Sequence, residues 1–358
     1  MLSLLVIVLD RSSKLIVIII ALILINTPQL TYTEENLVTS NSTIVVRDAL
    51  DREVEIQTPV TRIVSLAPSI TEILFALNKQ DLIVGVDAIS YDDPHYGIAD
   101  YVREKGIRNV GGYWWSLISI EAILELEPDL VLADKGAHLP LLNTFEELGL
   151  KTIYLHSGSA RELAEVYKDI ELVGLILNCT LEASQLILNI SREFEYYSEY
   201  LKNNMYPVKY LFIIYIDGGV WVAGRSTYID DALNRLGLTN TVDMNGWVLL
   251  SIEDLYRLSP DVIMITTMVE SDIVNIEKLV DTYGLYRITS KIIILKPMES
   301  DYFLRPGPLV KNIPRTIYSI LESYGFRKPP PLSESKSIPV INLVLILIAT
   351  ALFLVKRR

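Results

Sequence analysis

Cysteine and histidine are scarce in this chain of 358 residues. Its single cysteine, Cys179, excludes an internal disulfide, and its distance from the N-terminus excludes a role as an N-terminal lipid anchor. The three histidines, His95, His138 and His156, all lie in the first half of the chain, and their spacings match no zinc motif. We therefore expect them at the surface or in packing contacts, and we predict no metal site and no resident cofactor.

Basic charge and catalytic motifs are also lacking. The chain has 32 Lys and Arg against 44 Asp and Glu, a net charge of -12. Residues 1–33 carry a net +1 and residues 328–358 a net +4, which leaves -17 on the body between them. A body this acidic is unsuited to nucleic acid, whose phosphates require Lys and Arg. The sequence has no phosphate loop, nucleophile elbow or Gly-rich dinucleotide turn, so it disfavours an enzyme as well.

Apolar residues are abundant, but the long runs lie at the two ends. The eleven-residue run Leu15–Ile25 is too short to span a bilayer and suits a signal peptide, so we predict a signal peptide or signal anchor over 1–33. Residues 338–355 are free of charge and precede Lys-Arg-Arg, which predicts a single-pass anchor with a cytoplasmic C-terminus. A Pro/Ser-rich linker, 327–337, joins this anchor to an extracytoplasmic body. Glycosylation sequons stand at Asn41, Asn178 and Asn189.

An internal repeat organises the body. The segment Ser119–Ala133 recurs as Ser251–Ile265, at an offset of 132 residues, with six of fifteen positions identical. In each copy a serine precedes a short helical pattern with a glutamate in its first turn, where the helix dipole favours an anion. A Pro-Asp pair then ends the helical pattern, and an apolar run predicts a buried strand. Two copies this far apart indicate two related lobes.

Strand-like and helix-like segments alternate in both halves of the body, which predicts an α/β fold of two Rossmann-like parallel-sheet lobes. The predicted N-terminal lobe covers 44–158, the helical connector 159–206 and the C-terminal lobe 207–326. A helix over about 180–203 would make the connector about 36 Å long and stiff. The predicted strands are Arg62–Leu66, Ile83–Val86, Leu130–Ala133, Thr152–Leu155, Lys209–Ile216, Val262–Ile265 and Lys291–Leu295, and the predicted helices are Ser69–Leu77, Ser119–Leu126, Leu139–Leu148, Tyr228–Leu236, Ser251–Leu258 and Pro308–Tyr324.

Four ordered motifs carry a family resemblance. Arg62–Leu77, Val84–Val86, Asn109–Gly112 and Arg305–Pro308, together with the repeat, resemble class III substrate-binding proteins of ABC importers. This family serves vitamin B12, ferric siderophores and haem, and the similarity covers about 44–325. The resemblance implies two lobes bridged by a rigid helix, with one ligand held in the cleft between them. It further implies a monomeric body, with a permease dimer and its cytoplasmic ATPase as partners.

The resemblance also implies a docking contact with the importer. A surface glutamate on each lobe of such proteins pairs with arginines on the two membrane subunits. Glu121 and Glu253 match these positions, each within a Ser-Ile-Glu motif of the repeat. A glutamate in the first turn of a helix is also explained by the helix dipole alone. Because two copies stand at equivalent sites in the two lobes, we predict that they dock on the transporter.

Aromatic residues suggest the ligand. Trp115 and Trp247 each stand six residues before a docking glutamate, at the strand-end face where α/β lobes bind ligands. Two facing indoles suit a large apolar ligand, and the B12-binding branch of the family has tryptophans at both positions. The predicted ligand-binding residues are Tyr91, Trp115, Tyr215, Trp221, Trp247 and Arg305.

The identity of the ligand stays open between two main classes. A corrinoid is favoured by the paired tryptophans and by the acidity of the body. A ferric siderophore or haem is the alternative, since Arg305 could pair with an anionic iron chelate. Asp134-Lys135 replaces an aromatic residue found here in some B12 binders, which weakens the corrinoid assignment. A zinc- or manganese-binding protein and an enzyme are further alternatives that the sequence favours less.

Overall fold

The computed structural model describes residues 42–216 and 219–329, which all belong to one compact unit of the chain. The predicted signal segment, the sequon at Asn41, the anchor and most of the linker lie outside the described residues. No helix in the described ranges combines the length and the apolar character that crossing a bilayer requires. The strands are β1 (Ser42–Arg47), β2 (Glu53–Thr58), β3 (Ile63–Ser65), β4 (Ile83–Val86), β5 (Arg108–Asn109), β6 (Leu130–Asp134), β7 (Thr152–Leu155), β8 (Val208–Ile216), β9 (Val220–Ala223), β10 (Leu238–Asn240), β11 (Trp247–Leu250), β12 (Val262–Ile265) and β13 (Ile292–Ile294).

Helices connect and cover these strands. Two predicted helices, 139–148 and 308–324, each begin as a 3₁₀ segment with proline in its first turn, and the α-helix starts only afterwards. The helices are α1 (Pro68–Ala76), α2 (Ala88–Tyr91), α3 (Ile98–Lys105), α4 (Ile120–Glu125), α5 (Lys135–His138), α6 (Leu142–Glu147), α7 (Leu163–Ile176), α8 (Thr180–Asn204), α9 (Tyr228–Arg235), α10 (Ile252–Leu255), α11 (Glu270–Thr282), α12 (Pro297–Leu304) and α13 (Ile313–Ser323).

The first sheet is parallel throughout, in the order β5-β4-β3-β6-β7. Its central strands are buried on both faces, which is why they read in the sequence as continuous apolar runs. The predicted strands Ile83–Val86 and Thr152–Leu155 are confirmed residue for residue. An antiparallel hairpin of β1 and β2 precedes this sheet and was not predicted. We call the part of the molecule built on this sheet the N-terminal lobe.

The second sheet is mixed, so the prediction of a purely parallel sheet is wrong for this half. Its order is β11-β9-β8-β12-β13, with β10 pairing β8. The pairs β8–β12, β12–β13 and β8–β10 are parallel, whereas β8–β9 and β9–β11 are antiparallel. Only three residues, Asp217-Gly218-Gly219, separate β8 from β9, and a connection that short can join only antiparallel strands. We call the part built on this sheet the C-terminal lobe.

A long helix connects the two lobes. Helix α8 has 25 residues, Thr180–Asn204, and confirms the helix predicted over about 180–203. One hydrophobic cluster includes Ile63 and Leu132 of the first sheet, Ile190 of α8, and Phe212 and Val262 of the second sheet. Because this cluster runs continuously through both lobes, moving one lobe relative to the other would disrupt close-packed side chains.

The end of the described chain is fastened to the end of α8. Met205 and Arg327 form an antiparallel bridge, and the Tyr206 N–H donates to the carbonyl of Phe326 at 2.9 Å. The Lys328 N–H donates to the carbonyl of Asn204 at 2.7 Å, and its ammonium donates to the carbonyl of Lys202 at 3.0 Å. Arg327 and Lys328, at the end of the described chain, therefore lie at the junction between α8 and the second sheet.

Candidate functional site

A cavity of about 340 Å³ lies between the two lobes. The N-terminal lobe contributes residues that follow the carboxyl ends of its strands, the edge at which α/β sheets bind ligands. The C-terminal lobe contributes the segment before α9 and the start of β11. The cavity is lined by Tyr113, Trp114, Gly136, Gly158, Ser159, Ala160, Arg161, Ser226, Thr227, Gly246 and Trp247.

Each lobe places one indole at this cavity. Trp247 begins β11, is 39% exposed, and stands edge-on to the buried ring of Tyr228, with ring centres 6.2 Å apart. Trp114 is 58% exposed and lies edge-on to Tyr113, with ring centres 5.2 Å apart. Both indoles line the same cavity and are partly exposed, so each ring can lose water-accessible surface to a ligand that enters there.

Asp134 fixes the N-terminal wall of the cavity. Its buried carboxylate accepts from the Tyr113 hydroxyl at 2.5 Å, from the Gly136 N–H at 2.6 Å and from the Gly158 N–H at 3.1 Å. Burial and the nearby Asp134 charge raise the pKa of Tyr113 well above its usual value, so its hydroxyl stays protonated and donates. One carboxylate thus positions three of the residues that line the cavity.

A glycine is required at one of these positions. A Cβ atom on Gly158 would lie 2.9 Å from Asp134 Oδ2 and 3.0 Å from the Tyr113 hydroxyl. Any side chain there would push apart the carboxylate and the phenol that shape the wall.

His138 supports the same wall and is a packing residue. It is fully buried, its Nε2 lies 2.6 Å from the Tyr113 carbonyl, and its Nδ1 accepts from the Asp134 N–H at 3.0 Å. Burial lowers the pKa of His138, and the two bonds assign the neutral ring with its proton on Nε2. The other histidines pair with carboxylates: His95 with Asp301 and His156 with Asp169. Within the described ranges, no three His, Cys, Asp or Glu side chains group closely enough to hold a metal ion.

An exposed apolar face continues from Trp247 across the second sheet. Leu249 lies opposite Trp221, and Trp221 lies opposite Tyr215, so these residues share one face of β11, β9 and β8. Each is between 39% and 51% exposed, whereas the alternate residues Val220 and Leu250 face the core. An apolar sheet face left open to solvent is typical of a binding surface.

The structure groups some of the predicted ligand-binding residues and separates others. Trp247 lines the cavity, and Tyr215 and Trp221 lie on the apolar face that it begins. Trp115 is exposed but does not line the cavity. Its neighbour Trp114 lines it instead. Tyr91 packs against the hydrophobic core beneath the Arg103 guanidinium and does not line the cavity.

Arg305 lies away from the cavity, in a charge cluster between the lobes. It is 9% exposed, and its guanidinium contacts Glu72 at 3.1 Å, Asp93 at 2.8 Å and Asp301 at 3.1 Å. Glu72 and Asp93 belong to the N-terminal lobe, whereas Asp301 and Arg305 belong to α12 and its C-terminal cap. His95 of the N-terminal lobe reaches Asp301 at 2.9 Å. The cluster therefore joins the lobes, and its guanidinium is already committed to protein carboxylates.

Arg161 is the cation that the sequence interpretation missed. It lines the cavity, is exposed, and forms no ion pair within the described residues. Tyr113 and Trp114 were missed as well, although both stand beside the predicted Trp115. A cluster of three aromatic residues, Tyr113–Trp115, after a strand was the available signal, because loops that follow parallel strands reach the binding edge.

Glu121 and Glu253 occupy equivalent places in the two lobes. Each is exposed in the first turn of a short helix, α4 or α10. Ser119 caps α4, and its hydroxyl accepts from the Ala122 N–H at 3.2 Å. Ser251 caps α10 in the same way, and its hydroxyl accepts from the Asp254 N–H at 3.1 Å. Neither glutamate forms an ion pair with any other described residue. Within the described part of the chain no cation neutralises either carboxylate, so each could pair with a cation of another molecule.

Comparisons with known proteins identify a single family. The sequence profile described as "Periplasmic binding protein" matches residues 63–289. An ABC transporter substrate-binding lipoprotein of Bacillus subtilis is 29% identical over 238 residues, 65% of this chain and 72% of that protein. A vitamin B12-binding protein of Salmonella paratyphi A is 24% identical over 253 residues, 70% of this chain and 85% of that protein.

Solved structures show the same fold. A periplasmic haem-binding protein from Roseiflexus sp. RS-1 superimposes with a TM-score of 0.61 and 25% sequence identity. The superposition covers 74% of this chain and 98% of that protein.

Proposed function

Because this chain belongs to the periplasmic binding protein family and is the substrate-binding protein of an ABC transporter, we propose that it captures a corrinoid between its lobes. Members of the family bind small ligands for a permease and its ATPase and are not enzymes. The observation that carries the proposal is the cavity with one indole from each lobe, Trp114 and Trp247.

The chemistry of the cavity supports this ligand class. A corrinoid presents a broad ring face that can stack against indoles, while the amides at its edge meet hydroxyl and peptide groups. Arg161 is the one charged residue among the described residues of the lining, whereas an anionic iron chelate calls for several cations. The related Salmonella protein named for vitamin B12 binding adds further support.

Haem is the second candidate, and Arg161 is the observation that favours it. Its guanidinium, which forms no ion pair with any described residue, could hold a carboxylate, and a porphyrin is flat enough to lie between two indoles. The similarity to the solved haem-binding protein of Roseiflexus sp. RS-1 is consistent with this alternative.

Absorption spectroscopy tests the ligand. The full chain in detergent would be incubated with cyanocobalamin, haemin or ferric enterobactin, an anionic chelate, and separated from free ligand by gel filtration. We expect cyanocobalamin to elute with the protein at about one per chain, because the cavity lies between single copies of each lobe. Retention of haemin alone would establish the second candidate, and retention of none of the three would refute the proposed ligand class.

Capture would lead to delivery with little closure of the lobes. The hydrophobic cluster that α8 shares with both lobes, and the Arg305 cluster between them, oppose large rotations. Glu121 and Glu253, one on each lobe, would pair with cations on the two membrane subunits of the importer. Docking would then depend on the separation and orientation of the lobes, since each lobe contacts one membrane subunit.

Tethering through residues 338–355 is part of this proposal. The predicted span would keep the binding protein beside its permease on the extracytoplasmic face. We expect the full chain to sediment with membranes and a chain ending at Lys328 to stay in the supernatant after carbonate washing. Release of the full chain by the same wash would contradict the tether.

A further inference from the structure

The structure extends the equivalence between the lobes to a pair of exposed leucines. Seven-residue segments, Trp115–Glu121 and Trp247–Glu253, share Trp, Leu, Ser, Ile and Glu at the same relative positions. The shared leucines are Leu117 and Leu249, which are 61% and 51% exposed. Each stands four residues before one of the docking glutamates.

Local backbone geometry turns both leucines outward. Ile118 forms an antiparallel bridge with Gly111, and Leu250 forms an antiparallel pair with Val220. Ile118 and Leu250 both pack on the hydrophobic core of their lobe. In β11 the side chains alternate between the two faces of the sheet, so Leu249 faces solvent where Leu250 faces the core. Leu117 ends the 3₁₀ turn Trp115–Leu117 and is exposed, whereas the next residue, Ile118, is half-buried.

Each leucine also rests on a glycine. A Cβ atom on Gly112 would lie 2.8 Å from Leu117 Cβ, and one on Gly219 would lie 2.6 Å from Leu249 Cδ1. The glycines let the leucine side chains lie close to the backbone, so both are held in place while their outer surfaces stay exposed. Neither leucine lines the cavity between the lobes.

We propose that Leu117 and Leu249 are the apolar contacts of the transporter-docking surface. Each would enter an apolar pocket on one membrane subunit, beside the cation that pairs with Glu121 or Glu253. This inference rests on the proposed docking role of the two glutamates. Leu117 and Leu249, with these two glutamates, are called the docking pairs below.

The chemistry of the docking pairs commits them to this partner. The same Leu-x-Ser-Ile-Glu element occurs once in each lobe, which fits a partner that offers the same pocket twice, as paired membrane subunits do. The glutamates require cations on that partner, whereas a second copy of this acidic chain, with a net charge of -12, would repel them. In specific interfaces an apolar residue that is buried on contact commonly lies beside a charged residue that pairs with the partner.

Docking affinity tests the inference. The full chain in detergent would be titrated against the nucleotide-free importer, two membrane subunits with their ATPase, immobilised in nanodiscs. We expect Leu117→Ala and Leu249→Ala each to weaken docking about tenfold, which corresponds to about 1.4 kcal/mol per site. The double variant should lose about a hundredfold, because the two sites lie in different lobes and act independently.

Matched variants keep the result interpretable. Leu181→Ala removes a leucine that is 78% exposed on α8 and should leave docking unchanged. Leu117→Met and Leu249→Met preserve apolar volume and should dock within about twofold of the original chain. Cyanocobalamin affinity should be unchanged in Leu117→Ala, since Leu117 lies outside both the cavity lining and the apolar face. Leu249 lies on the apolar face, so only the Leu117 variant serves as the ligand-binding control.

Three outcomes separate the ideas. If the leucine variants dock normally while Glu121→Ala/Glu253→Ala fails to dock, the inference is overturned and the docking glutamates stand. If the glutamate variant also docks normally, the proposed docking role itself is refuted. If Leu117→Ala loses affinity for cyanocobalamin, Leu117 is a ligand contact and the inference is again overturned.

Discussion

Arg305→Met is expected to lower the free energy of unfolding by about 3–5 kcal/mol, the largest loss of stability that we expect from one substitution. The change leaves the Asp93 and Asp301 carboxylates and the Glu72 carboxyl group together without the guanidinium that contacts all three. Their mutual repulsion and desolvation would no longer be offset, although the methionine fills most of the volume. Because the cluster joins the two lobes, its loss would also loosen their packing.

Urea unfolding followed by circular dichroism measures this effect. Arg225→Met is the matched control, since Arg225 and Asp243 form an ion pair with both side chains more than half exposed. The control should cost less than about 1 kcal/mol, because solvent screens exposed pairs. A loss below about 1 kcal/mol for Arg305→Met as well would show that the cluster does not stabilise the fold.

The pH dependence of stability gives a companion test at Glu72. Burial raises the pKa of Glu72 well above its usual value, and Arg305 opposes this only in part, while Asp93 and Asp301 add to it. A raised folded pKa means that the stabilisation is complete below the unfolded pKa of about 4.3 and is lost as pH rises through the folded value. The original chain should therefore lose free energy of unfolding relative to Glu72→Gln between pH 5 and pH 8. A constant difference across this range would contradict a protonated Glu72.

Trp247→Ala should weaken binding of cyanocobalamin by about 30- to 150-fold, equivalent to about 2–3 kcal/mol. The substitution removes the indole that the C-terminal lobe places at the cavity and leaves the apolar face without its inner edge. Trp247→Phe keeps an aromatic surface beside Tyr228 and should recover most of the affinity. Equilibrium dialysis with detection of cobalamin absorption gives the dissociation constants.

Two adjacent tryptophans provide a matched control within the other lobe. Trp114→Ala should weaken cyanocobalamin binding at least tenfold, because Trp114 lines the cavity. Trp115→Ala should change it less than about threefold, since Trp115 is exposed outside the lining. A larger loss of affinity for Trp115→Ala than for Trp114→Ala would show that Trp115, the residue predicted from the sequence repeat, is the ligand contact. Equally small losses for both variants would argue against the cavity as the ligand site.

The strands were the most predictable part of the fold. Strands buried on both faces, such as Val262–Ile265, contain only large apolar residues and are recognisable from four positions alone. The strands β9 and β11, at one end of the second sheet, escaped prediction because their alternate residues include Trp221, Trp247 and Leu249, which are apolar yet exposed. Alternation of burial was therefore hidden in sequences that are apolar throughout.

Parts of the candidate site could not be read from local patterns. The repeat selected Trp115 because it stands 132 residues before Trp247, but Trp115 opens a 3₁₀ turn whereas Trp247 opens a strand. Equal spacing in sequence therefore did not give equal positions in the two lobes. Arg305 was expected in the cleft, yet its partner Glu72 lies 233 residues earlier in the chain, a separation at which sequence patterns carry no information on pairing.

The fastening of Arg327 and Lys328 to the end of α8 determines where mechanical load enters the molecule. Main-chain bonds tie this segment to Asn204 and Tyr206, at the point where the helix passes into the second sheet. A force on the chain beyond Lys328 is thus transmitted to the end of α8, which packs on both lobes, and not to the outer edge of either lobe. Drag or thermal motion would swing both lobes as one piece, and the gap between the two indoles would keep its width.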